Sequence, residues 1–293
     1  MIPKEKPIVH KKRFNAPYYV GKFAAYSVLV ITAAIFIFPF LYALGVSLNN
    51  PDSASFSWIP QGSIDIGSYY KFFVDSAANG IPVWRAFLNT LLYVSPPILV
   101  GVFCSALAAY SFARIEFRGK NIVFFSMLAT MVIPGIITIV PSFLLFQDFY
   151  HWDNTPLPLI VPGMFGSAMT MFFLYQYFRT LPKELEEAAQ IDGMSRFGIF
   201  FKIILPLSFP AIITQVILSF NGCYNDYMGP LLYVNSVPSM KTMQLLIVGT
   251  QSARGSPYPL MMAASIIGLV PTLLLYMLCQ KYFVEGIAMT GLK

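Results

Sequence analysis

Charge is scarce in this 293-residue sequence: Asp, Glu, Lys and Arg make up 11% of it, against 57% hydrophobic residues. Soluble domains carry about 25% charged residues. So few charges cannot coat a water-facing surface of this size, which excludes a soluble globular domain and leaves the bilayer as solvent for much of the chain. Cysteine and histidine are nearly missing too. Cys104, Cys223 and Cys279 lie in apolar runs without metal-ligand spacing, and an odd number cannot all pair. They read as small buried hydrophobes. His10 and His151 stand alone, and no Ser/His/Asp or Cys/His constellation for nucleophilic catalysis is present. No GxxxxGK[ST] run is present to cradle a nucleotide phosphate, so the chain itself should not bind ATP.

What the sequence does have is long charge-free runs, at residues 23–47, 86–113, 121–147, 155–178, 203–225 and 256–280. Each reaches the length of about 20 residues that a helix needs to cross a hydrocarbon core. The period is not two, which argues against a barrel. The expected fold is therefore all-α, a polytopic membrane protein with six transmembrane helices. The first run is too long for the apolar part of a cleaved secretory signal and reads as a retained helix.

Lysine and arginine set the orientation. With a cytoplasmic N-terminus, only Lys71, Arg85, Lys241 and Arg254 fall outside, and the other fifteen of the nineteen basic residues fall inside. Both termini are then cytoplasmic. The net charge of +6 is explained by topology beside anionic headgroups, with no nucleic-acid partner. The expected organisation is a cytoplasmic tail (1–22), a first span (23–47) and an outer segment (48–85). A core of five spans (86–282) and a cytoplasmic tail (283–293) follow. In the outer segment, Tyr69, Tyr70, Phe72 and Phe73 predict a short helix lying along the membrane surface.

The spans hold no ionisable side chain in their interiors, Asp226 standing just past the end of the fifth. Proton-coupled carriers commonly need such groups. Prolines are frequent instead, at 39, 96, 97, 134, 141, 162, 210 and 271. They fit either ordinary kinks or helices that open around a path.

The most informative segment is the inner loop 179–202. Leu181-Pro182 opens it, since proline suits the first helical position. Glu184, Glu186 and Glu187 suit the positive end of a helix dipole. Leu185, Ala188 and Ala189 form an i, i+3, i+4 apolar face. Gly193 supplies a left-handed stop, Ser195 can cap a second helix, and Pro206 ends it. The reading is two short helices joined at a glycine, with a small-residue face fit for close docking.

Glu187-Ala188-Ala189-Gln190-Ile191-Asp192-Gly193, with Leu205-Pro206 beyond it, resembles the "EAA" loop of binding-protein-dependent ABC permeases. Asn89-Thr90, the pair Pro134 and Pro141, Asn154-Thr155, and Tyr224-Asn225-Asp226 followed by Pro230-Leu231 resemble that family's carbohydrate branch, of the smaller maltose-permease type. The tail Gly286…Gly291-Leu292-Lys293 agrees, whereas Tyr224 stands where that branch usually has Trp. The segment 224–233 also resembles permeases for complex oligosaccharides, alginate-like chains among them.

The resemblance covers about residues 18–293 and implies a type I ABC importer permease fold in a bacterial inner membrane. It implies ATPase-coupling contacts at Glu186, Glu187, Ala188, Ala189, Asp192, Gly193, Leu205 and Pro206. The implied partners are a second permease subunit, two cytoplasmic ATP-binding subunits that hold ATP and Mg²⁺, and an extracytoplasmic solute-binding protein. No cofactor belongs to this chain.

Asn221, Tyr224 and Asn225 share one helical face near the outer end of the fifth span, where amides and a ring could meet a sugar. They could equally be interhelical hydrogen-bond glue. The outer segment Ala253, Arg254, Gly255, Ser256, Pro257 and Tyr258 reads as a loop. By its position in the maltose-type family, this loop would touch the docked binding protein. The alternative to an ATP-driven importer of an oligosaccharide is a secondary carrier or channel for a small polar solute.

Overall fold

The computed structural model describes residues 16–52, 57, 59, 63–78, 80–252 and 257–291. These residues are helical wherever they are regular. A long first helix, α1 (Ala16–Ser47), runs through Pro39 and is apolar all round, as a lipid-facing helix should be. It starts seven residues before the expected span. After it come α2 (Gly67–Ala78) and α3 (Val83–Arg114). Of the expected surface aromatics on α2, Tyr70 and Phe73 are exposed. Phe72 instead turns inward with Val83, Met243, Ile247, Leu260 and Ala264.

The third charge-free run is not one straight span. It divides into α4 (Lys120–Thr130) and α5 (Gly135–Leu144), the latter continuing as a π-helix over Leu145–Phe149, with a 92° bend between the halves. Pro134 is the cause. It sits at the N-cap of α5 in extended backbone (φ −62°, ψ 126°), brings no N–H, and disfavours helical geometry in Ile133.

The fourth run forms α6 (Leu157–Met164) and α7 (Ala168–Thr180) around a short break at Phe165-Gly166-Ser167. Gly166 takes φ +88°, and the Ser167 hydroxyl caps α7 by accepting from the Thr170 N–H at 3.1 Å.

Next come α8 (Glu184–Ile191) and α9 (Arg196–Ile199), the second passing through a π-helix at Phe200–Ile204 into α10 (Leu205–Leu207). The bend of 75° into α11 (Phe209–Tyr224) falls at Ser208. The chain closes with α12 (Met228–Tyr233), α13 (Met243–Ser252) and α14 (Tyr258–Gly291). Among the described residues, four helices are long and apolar enough to cross a membrane, and six if each bent pair counts as one span.

Helix α3 is the axis of the bundle, with α6, α7 and α11 against it. Its contact with the α6–α7 break is backbone on backbone. A Cβ built on Gly101 would lie 2.3 Å from the Gly163 carbonyl oxygen, and one on Gly166 would lie 2.5 Å from Ser105 Oγ. Small residues allow this approach, the usual packing device inside membranes.

At the opposite end of α3, Asn89 Nδ2 donates to the carbonyls of Ser239 (2.9 Å) and Lys241 (3.0 Å). Thr90 Oγ1 accepts from the Met243 N–H at 2.9 Å. The Asn-Thr pair thus anchors the segment leading into α13. This gives a physical reason for two residues that the sequence singled out by resemblance alone.

Candidate functional site

Two sites emerge, one at each end of the bundle. The first is the loop between α7 and α9. Pro182 lies just outside α8 rather than at its first position, because Lys183 is the N-cap and its carbonyl accepts from the N–H groups of Glu186 (2.9 Å) and Glu187 (3.0 Å). Gly193 has φ +79° and a Cβ there would meet nothing within 4 Å, so within this chain the left-handed stop, not packing, is what calls for glycine. Ser195 caps α9, its hydroxyl accepting from the Gly198 N–H at 3.2 Å. Two short helices joined at a glycine is the geometry the residues predicted. Leu205 and Pro206 lie in the last turn before the 75° bend rather than ending the second helix, which runs on to Leu207.

The expected apolar face of Leu185, Ala188 and Ala189 does not hold together. Ala189 turns into the bundle with Glu186, while Leu185 and Ala188 face outward with Glu187, Ile191, Asp192 and Gly193. The cause is Glu186. Its carboxylate Oε1 lies 2.8 Å from Arg114 Nε, with both side chains more than nine-tenths buried, and this contact fixes the rotation of α8. Burial pushes the Glu186 carboxyl above its usual range, with Arg114 and Lys183 pulling it back only in part. Ala189 completes the inward face by packing in the core cluster that contains Tyr110, Phe178, Ile199 and Phe200. Arg114 was not foreseen as a site residue. Its only signal in the sequence is that it is the first charge after a long charge-free run.

The second site lies near the far end of α11. Asn225 Nδ2 donates to the Asn221 carbonyl (2.8 Å) and to Asn221 Oδ1 (3.0 Å). Gln244 Nε2 from α13 donates to Asn225 Oδ1 at 2.9 Å. The three amides line a groove of about 330 Å³ with Ile247, Ser265, Gly268, Leu269 and Thr272, and among the described residues no charged side chain lines it. Amides have more donor and acceptor positions than these bonds use.

Tyr224 does not join them. It is 1% exposed, and its hydroxyl donates to the Gly268 carbonyl at 2.9 Å, tying α11 to α14. Its ring lines a separate cavity of about 240 Å³ with Thr90, Tyr93, Cys223, Asp226 and Thr242. Helical spacing placed three residues on one stripe, but the long phenol reaches sideways into the neighbouring helix. Gln244 is the amide that the sequence reading missed, since its distance in sequence from Asn225 hides it.

Of the outer segment singled out by position, Ala253, Arg254, Gly255 and Ser256 lie outside the described residues. Tyr258 and Pro259 belong to the first turn of α14 rather than to a loop, and Pro257 offers its carbonyl to the Met261 N–H at 3.2 Å. Proline at a helix start costs no hydrogen bond.

Bent apolar spans, an uncharged amide-lined groove and a short helical loop projecting from the basic end define a class: a helical membrane transport component. The similarities are specific. The model of the binding-protein-dependent transport system inner membrane component matches residues 98–288, and the chain belongs to that family. It is 32% identical over 267 residues to the trehalose/maltose transport system permease protein MalG of Thermococcus litoralis, covering 90% of this chain and 94% of the relative. It is 30% identical over 218 residues to the arabinooligosaccharides transport system permease protein AraQ of Bacillus subtilis, covering 73% and 75%. Among solved structures, a chain of a bacterial ABC transporter involved in the import of the acidic polysaccharide alginate superposes with a TM-score of 0.77 at 19% identity. The match covers 92% of this chain and 99% of that one. At that TM-score the two chains share a fold.

Proposed function

We propose that this chain is one half of a heterodimeric permease that imports an oligosaccharide, driven by ATP hydrolysed in separate cytoplasmic subunits. The observation that carries the proposal is the loop helix α8. It is anchored on one side by Glu186 and Ala189, and presents Leu185, Glu187, Ala188 and Ile191 outward, with Ile191 86% exposed. An apolar residue this exposed, outside the spans and flanked by carboxylates, suits a protein partner rather than lipid. The partner is an ATP-binding subunit, and Glu187, Ala188, Asp192 and Gly193 form the docking surface.

The basic end then faces the cytoplasm, with both termini on that side, a reading supported by the distribution of lysine and arginine. The groove of Asn221, Asn225 and Gln244 lies at the outer end of the path, and its amides suit sugar hydroxyls. An external binding protein delivers the sugar there, and contact with it is assigned to residues 253–258 by their position in the sequence alone. The oligosaccharide class is supported by the sugars named for the maltose- and arabinooligosaccharide-system relatives.

The test is purification of the tagged chain from its native membrane. An ATP-binding subunit should co-purify, and its hydrolysis in vesicles should rise when an external binding protein loaded with maltotriose, arabinotriose or an alginate tetrasaccharide is added. Uptake that collapses with an ionophore, with no ATPase retained, would instead establish a secondary carrier.

A further inference from the structure

We propose that Arg114 is a positioning residue, a three-way clamp that makes α8, α7 and α3 move as one body. The clamp rests on the reading that α8 docks on an ATP-binding subunit, and it goes beyond that reading by assigning how the push reaches the spans.

Arg114 is the last residue of α3. Its Nη2 donates to the carbonyls of Phe178 and Leu181, each at 2.7 Å, at the C-terminal end of α7, where the Phe178 carbonyl also accepts from the Leu181 N–H at 3.2 Å. Its Nε faces Glu186 Oε1 on α8 at 2.8 Å, a charge contact rather than an aligned hydrogen bond. One guanidinium therefore joins the ends of two spans to the loop helix. Its side chain is 5% exposed and that of Glu186 is 8% exposed.

Stability does not explain this arrangement. A buried ion pair gives back much of its attraction as lost hydration, and apolar residues of similar size often serve folding as well or better. The raised carboxyl of Glu186 carries the same message. What the pair adds is geometry. Guanidinium is planar with donors at fixed angles, so it can hold three partners in one orientation, which a single ammonium on a flexible stem cannot. The clamp also stands where it is needed, because Glu186 and Ala189 are the only buried residues of α8. Ala189 offers one methyl to the core. Without the carboxylate tie, α8 could shift under load while α3 and α7 stayed behind.

The test uses the complete transporter, purified with its ATP-binding subunits. Spin labels are placed at exposed Gln190 and Arg118, after Cys104, Cys223 and Cys279 are replaced by serine. Pulsed electron resonance then reads the label distance without nucleotide and in the vanadate-trapped state. The expected result is one distance in both states for the unmodified clamp, because both labels ride on one body. With Arg114→Gln, trapping adds a second population at a different distance, and Arg114→Lys does the same because it keeps charge but loses the fork.

Two results would overturn the clamp: a state-dependent distance with Arg114 intact, or an unchanged distance with Arg114→Gln. Should Arg114→Gln fail to insert, Glu186→Gln is read in the same way, since it weakens the tie to α8 and keeps both carbonyl bonds. Failure of the underlying reading looks different. No ATP-binding subunit would co-purify even with the unsubstituted chain.

Discussion

Replacing Gly101 by Ala should loosen the bundle more than any equally small change at a surface glycine. The added Cβ would sit 2.3 Å from the Gly163 carbonyl oxygen, with the Gly163 carbon at 3.4 Å and Gly166 Cα at 3.6 Å behind it. All three obstacles are backbone, so no side chain can rotate away. Reaching ordinary contact near 3.4 Å requires α3 and the α6–α7 break to part by about 1 Å. Interiors are close-packed, and such overpacking costs roughly 1–3 kcal/mol. Separation would also strain the hydrogen bond from the Ser167 N–H to Ser105 Oγ, now 3.1 Å. Taking about 2 kcal/mol, the Tm of the detergent-solubilised chain should fall by about 4–8 °C.

Gly119→Ala is the control. It has φ +82° but nothing within 4 Å of its Cβ, so only the left-handed backbone resists, at roughly 1–2 kcal/mol. It should leave the spacing between α3 and α6 unchanged. The assay is fluorescence-monitored melting, with cross-linking between cysteines placed on α3 and α6 as the spacing readout. If Gly101→Ala melts with the parent chain and cross-links equally well, the tight crossing is not a real constraint.

Gly193→Val should abolish ATP-driven uptake while the chain still inserts, because only the left-handed stop between α8 and α9 is disturbed, at roughly 1–2 kcal/mol. Uptake at the parent rate, measured in vesicles, would contradict this. Cysteines at Asn15 and Gly291 should resist an impermeant thiol reagent in intact cells, whereas one at Ser63 should react; labelling at either terminal position overturns the orientation. Asn221→Asp keeps the acceptor that Asn225 uses and adds one charge to the groove. Uptake of a neutral oligosaccharide should persist, whereas an anionic one should be slowed about 30-fold by some 2 kcal/mol of repulsion, taking about 7 Å and an effective dielectric of 20. Competition between maltotriose and an alginate trisaccharide reads the difference.

The spans were legible because lipid imposes one rule along a whole run, that charge stays out, and six runs obey it. The breaks were not legible. Proline at 39 and 271 lies within continuous helices, whereas Pro134 stands at a 92° turn. The residue type is the same, and the difference depends on whether neighbouring helices hold the freed backbone in line. The loop 179–202 was legible in its ends, because the glycine stop and serine cap act within a few residues. Its rotation was not, since that depends on a contact between Glu186 and Arg114, residues far apart in the chain. A local pattern of small apolar residues therefore pointed to a face that the buried carboxylate overrides. The amide groove failed in the same way at Tyr224, where the ring finds Gly268 on another helix.

These failures have a common physical origin, and it bears on how the protein works. In a chain whose spans exclude charge, each polar group that enters the interior must be satisfied by a particular partner; many hydroxyls bond back to a carbonyl of their own helix, and a few polar groups reach another segment instead. Tyr224 on Gly268, Asn89 on Ser239 and Lys241, Ser105 on Ser167, and Arg114 on the end of α7 and on α8 are of this second kind. Apolar surfaces against lipid or against each other slide at little cost, because the solvent is as apolar as the helix. The polar ties resist sliding, so they decide which helices move together. They divide unevenly between the two ends. The outer groove is held by neutral amides on α11 and α13, each tie worth about 1 kcal/mol. The inner end is held by a buried charge whose loss of a partner costs about 3–5 kcal/mol. Under the proposed function, a molecule that opens around a sugar at one end and transmits force at the other needs that asymmetry: weak, exchangeable bonds where cargo would compete for them, and a tie at the loop away from the cargo.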